Sequence, residues 1–112
     1  MRSLTIEALL YIYRVKFNFK LEVEGRDFTF EAERIYRSKQ VERFRITAIG
    51  TGQFLIIQSN RPLIEAGKTD KQVIWHKIEG FLSDSRALRM LYTEIETALK
   101  TPPPPFQGTL NL

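Results

Sequence analysis

The sequence predicts an α+β fold, an antiparallel β-meander of about five strands packed against one C-terminal α-helix and followed by a proline-rich tail. Three observations carry that prediction. Every odd position from Leu9 to Val23 is apolar (Leu9, Tyr11, Tyr13, Val15, Phe17, Phe19, Leu21, Val23), and every even position from Arg14 to Glu24 is polar. Successive side chains of a strand point to opposite faces, so this stretch reads as one long strand with a buried face and a wet face. After Gly25, Phe28-Thr29-Phe30 resumes the alternation, and a hairpin then gathers Phe17, Phe19, Phe28 and Phe30 on one buried face. Near the other end, Leu88, Leu91, Tyr92, Ile95, Ala98 and Leu99 recur at i, i+3, i+4 and i+7, a single apolar helical stripe suited to that aromatic face.

Taken in order, residues 3–13 admit two readings. Leu4, Ile6, Leu9, Leu10 and Tyr13 can line a helical face behind Ser3, but the period-2 pattern argues for strand from about residue 11. Gly25 and Asp27 bracket Arg26 at the predicted tight turn. The alternation slips at Ile35-Tyr36, so a bulge or break is expected near Arg34. Phe44, Ile46 and Ala48 alternate with Arg43, Arg45 and Thr47 in a third strand over roughly 41–49, and Gly50-Thr51-Gly52 turns the chain. The run Phe54-Leu55-Ile56-Ile57 predicts a fourth strand covered on both faces. Pro62 must end it, because proline cannot donate a ladder hydrogen bond. A polar loop over 65–72 leads to a fifth strand over 73–78, closed by Gly80. The helix is expected over 84–100, capped by Ser83 or Asp84, with Glu96 and Lys100 at the favourable i, i+4 spacing. Four prolines from Pro102 stop it and form a stiff spacer before Phe106, Leu110 and Leu112. The 112 residues therefore read as one domain, 1–101, and a tail, 102–112. The order of strands followed by a helix resembles, in outline, single-strand-binding coactivator-type domains and pleckstrin-homology-like domains. No motif residue of either is matched, so the resemblance is architectural and carries no sites.

Composition then narrows the chemistry. With no cysteine, disulfides, thiolate metal sites and cysteine nucleophiles are excluded, and the single His76 excludes a multi-histidine site. Phosphate-binding glycine loops, a nucleophile elbow and the paired-histidine helix of metalloproteases are all missing from the sequence. No catalytic residue, metal or cofactor is assigned, and the expectation is a non-enzymatic binding protein. No window is apolar enough to span a membrane and no leader pattern is evident, so a cytoplasmic location is expected.

The net charge is +4, and five cations lie between Arg34 and Arg45 against Glu42 alone. A sheet face presenting Arg14, Lys16, Lys20, Arg43 and Arg45 is one expectation, a basic surface for nucleic acid. Against it stand the aromatics, most of which alternate onto the other face, and Glu22, Glu24, Glu31 and Glu33, which can pair with the cations. Tyr36, Trp75 and Tyr11 are the aromatics expected to escape the core. Arg61, pinned beside Pro62 at a strand end, is a candidate anion contact. The alternative expectation is an assembly module, a homodimer whose interface uses Phe54, Ile56, Phe106, Leu110 and Leu112. One helix covers one side of a small sheet, and Phe54 to Ile57 is apolar on both.

Overall fold

The computed structural model of the protein describes residues 15–100, and within them the alternation resolves into a sheet and two helices. The elements are β1 (Lys16–Val23), β2 (Arg26–Arg37), β3 (Glu42–Ala48), β4 (Gln53–Ser59), α1 (Arg61–Glu65), β5 (Trp75–Gly80) and α2 (Ser85–Lys100). Each strand pairs antiparallel with its sequence neighbour, in the order β1-β2-β3-β4-β5. The meander and its C-terminal helix are those that the sequence predicts. The expectations for residues 1–14 and for the proline tail lie outside the described residues.

The local departures have physical reasons. The first hairpin turns at Glu24-Gly25, not around Arg26, and Val23 sits opposite Arg26. Both turn residues have positive φ (54° and 77°), the backbone twist that a two-residue loop needs to match its strands. The bulge falls where the pattern slips: Arg34 pairs with Phe44 and Tyr36 with Arg43, leaving Ile35 as the extra residue. Beyond Ser59 the chain makes the short helix α1, which the sequence reading missed. Pro62 occupies its first turn, where no intrahelical N–H is required, so the residue that ends β4 also starts a helix. The fifth strand runs over 75–80, two residues later than expected. Asp84 caps α2, its side chain accepting from the Arg86 N–H at 3.2 Å and its carbonyl from Leu88 N–H at 3.0 Å.

The core lies between α2 and the inner face of the sheet. Phe30, Phe44, Ile46, Leu55 and Ile57 from the sheet and Leu91 and Ile95 from α2 are fully buried. Phe19, Phe30 and Phe81 stack in sequence, with ring centroids 5.4 and 6.4 Å apart. Trp75 does not escape this core. It lies 5.9 Å from both Phe44 and Tyr92 and donates its indole N–H to Glu96 at 2.8 Å, so Glu96 serves Trp75 instead of bridging to Lys100. Burial pushes the neighbouring Tyr92 hydroxyl above the usual phenol range.

Candidate interaction surfaces

The basic segment does not form one patch. The bulge at Ile35 and the alternation of β3 sort its residues onto two faces. Arg34 and Arg37 turn inward, and Arg43 and Arg45 turn outward.

The inward pair closes around Glu42, which is fully buried. Its Oε1 lies 3.3 Å from both Arg34 and Arg37. Its Oε2 accepts from Ser59 Oγ at 3.2 Å and from Nε of Arg61, whose Nη2 also reaches Oε1. On the rim, Glu65 accepts from Arg37 at 2.8 Å and from Arg61 at 2.6 Å. The Glu65 carboxyl is pushed up by burial, but the Arg37 hydrogen bond and the Arg61 charge outweigh that and hold it below the usual carboxylate range. Burial lowers the Arg34 guanidinium, against the pull of Glu42, yet an arginine stays cationic at any ordinary pH. All three nitrogens of Arg61 thus donate to this chain's own carboxylates. The anion that the sequence reading sought for Arg61 is internal.

The outward cations are largely satisfied in place. Arg45 bridges to Glu33 at 3.0 Å and Lys16 to Glu31 at 3.6 Å. Arg43 donates to Gln58 at 2.7 Å and lies over the Tyr36 ring at 5.1 Å, while Lys20 stands opposite Thr29. On that same face Glu22, Asp27, Glu31, Glu33 and Glu79 outnumber the four described cations. Arg14 lies outside the described residues. Tyr36 is exposed, as expected, at 47%.

Phe54 and Ile56 also point outward, since Leu55 and Ile57 are the buried members of β4. Phe54 is 40% exposed and Ile56 half-buried. The bulged Ile78 of β5 adds a third apolar side chain, 43% exposed. Phe106, Leu110 and Leu112, the other expected interface residues, lie outside the described residues. An open groove of about 480 Å³ runs between β1 and α2, lined by Leu21, Arg86, Arg89, Met90, Thr93 and Glu94. No sequence pattern marked it, because it depends on where the helix crosses the sheet edge.

Among the described residues no group of three His, Asp or Glu side chains converges to hold a metal, and no helix is long and apolar enough to cross a membrane. Comparison with protein-family models, with curated proteins and with solved structures finds no match.

Proposed function

We propose that this chain is a non-catalytic interaction module whose partner is a second copy of itself. The supporting observation is the outer sheet face, where Phe54, Ile56 and Ile78 stand together at the β4–β5 end without a helix over them among the described residues. Lys16 and Arg45 on that face already pair with Glu31 and Glu33, and acids outnumber cations there, so the sheet offers a partner apolar and backbone surface more than positive charge. Protein interfaces bury such groups, whereas phosphate binding draws on uncompensated cations. The cysteine-free chain suits a reducing compartment, and the cytoplasm is its proposed location. Light scattering behind a sizing column, over a concentration series, tests this reading. The expected mass is twice the 13.1 kDa of one chain and changes little with salt. The mass of one chain at every concentration overturns it.

A second reading, nucleic-acid binding through the sheet, is supported by one cross-strand row. Tyr36, Arg43, Gln58 and His76 stand side by side on the outer face across β2 to β5. An exposed ring under a guanidinium, beside an amide and an imidazole, is a surface on which an unstacked base can lie. Lys16 and Arg45 stand in the adjoining row of that face, and Lys20 lies two rows further along β1. Anisotropy of labelled single-stranded DNA and RNA at low salt separates the readings. Saturable binding that Arg43→Glu abolishes favours nucleic acid, and none at low salt removes it.

A further inference from the structure

We propose that two copies of this chain join edge to edge through β1, antiparallel about a twofold axis at Phe19, with Lys16 of each copy facing Glu22 of the other. The proposal rests on the self-association reading but not on its Phe54, Ile56 and Ile78 surface, because β1 is the opposite edge of the sheet.

The sheet has two edges, and they are finished differently. At β5 the strand has six residues and is broken by the bulge at Ile78. Its end is pinched at Gly80, where φ is +108° and a Cβ would lie 2.3 Å from the Leu55 Cα. Lys77 folds over that end, donating to the carbonyls of Gly80 and Leu82 at 3.1 and 3.2 Å. Bulges and lysines of this kind keep an edge from templating another strand. At β1 the eight residues are regular, unbroken and free of proline.

The direction of the open ladder groups follows from one bond. Arg34 N–H donates to the Val15 carbonyl at 2.9 Å, and the pairing of Lys16 with Glu33 makes Val15 and Arg34 opposite residues. Odd residues of β1 therefore bond to β2, because ladder groups of an antiparallel strand alternate sides. The N–H and C=O groups of Lys16, Asn18, Lys20 and Glu22 face the open edge, where no strand among the described residues meets them.

Register selects the partner. Two copies match inner face to inner face only when the axis passes through a residue. An axis at Lys20 sets two lysines against each other, and one at Asn18 sets Lys16 against Lys20 twice. An axis at Leu21 opposes Lys20 to Glu22 but runs out at Glu24, which has already turned with φ 54°. An axis at Phe19 uses the whole strand. On the wet face it pairs Lys16 with Glu22 of the partner subunit and Asn18 with the partner's Lys20. On the helix side it sets Phe17 against the partner's Leu21 and Phe19 against its own copy. Phe17 and Phe19 are only half-buried in one chain, and Leu21, which would meet the partner's Phe17, lines the groove beside α2.

Sedimentation velocity of the full chain, with Lys16→Glu and Glu22→Lys made separately, tests the register. Lys16 is 51% exposed, and the change gives up only its 3.6 Å surface bridge to Glu31, worth about 1 kcal/mol or less to folding. Each variant alone places like charges opposite at both symmetric contacts, and its dissociation constant is expected to rise roughly 10- to 30-fold. Mixing the two variants restores every opposite-charge contact, and dimer of near wild-type affinity is expected to reappear as the heterodimer. Asn18→Pro is a second probe. It removes an edge donor that β2 does not use, and the expected product is a folded monomer. A wild-type dimer indifferent to all three changes overturns the β1 register and leaves self-association standing. A wild-type chain that is monomeric up to about 100 µM overturns both.

Discussion

Phe44 and Glu42 stand two residues apart on β3, point the same way and are both fully buried. Around Phe44 the inner face is closed by Ile46, Ile57, Trp75 and α2, and the Arg34 guanidinium over its ring at 5.9 Å marks where the polar half begins. Around Glu42 it is closed by three guanidinium groups, the Ser59 hydroxyl and α1. The apolar half draws its stability from many small contacts that any similar side chain partly reproduces. The polar half is organised by one carboxylate. Removing it takes the central counter-charge from Arg37 and Arg61, which then converge on the rim acid Glu65, and breaking a largely buried ion cluster at its centre is costly. One strand thus carries a tolerant half and a brittle half.

The largest expected effect breaks that contrast at its brittle side. Glu42→Gln keeps the volume and removes the charge, and should cost about 3–5 kcal/mol in urea denaturation. Ile46→Val, four residues along the same strand, removes one buried methylene and should cost only about 0.5–1.5 kcal/mol. A loss below 1 kcal/mol for Glu42→Gln would show that the arginines do not depend on it. The converse change sharpens the point. Glu42→Leu combined with Arg34→Met and Arg61→Met removes the central charges together and leaves Arg37 on Glu65, and it should recover most of the lost stability.

The same contrast explains what was legible in the sequence. Alternation reports which face a side chain takes, and it located β1, β2, β3 and the Phe-lined core because apolar and polar residues alternate strictly over 16–23, 27–33 and 43–48. Glu42 sits at an apolar-parity position of β3 yet is charged, so the pattern treats it as the strand's polar edge. The five cations from Arg34 to Arg45 looked like one patch because composition sums charge without direction. The bulge at Ile35 decides that direction, and it places Arg37 beside Glu42 across the ladder. Arg61 and Glu65 come from α1, a single helical turn too short to show a periodicity. Trp75 was misjudged for a related reason, since its N–H partner Glu96 is 21 residues away.

The smallest effect separates the rim of the ion cluster from its centre. Glu65 touches the same arginines as Glu42, but its side chain is 45% exposed and water screens it. Its folded carboxyl lies below the ordinary glutamate value of about 4.3, at which the unfolded chain titrates. A depressed folded value contributes stability that is present above the unfolded value and is lost as pH falls through the folded one. Glu65→Gln should therefore cost less than about 1 kcal/mol at pH 7. Below about pH 4.3 that difference from wild type should shrink, because the wild-type carboxyl then protonates and resembles the amide. Chemical denaturation of both proteins at pH 7, 5, 4 and 3 makes the comparison, with every other carboxylate common to the pair. A stability difference that stays constant from pH 7 to pH 3 would mean that Arg37 and Arg61 contribute nothing through the charge of Glu65, and that the cluster is held by its buried centre alone.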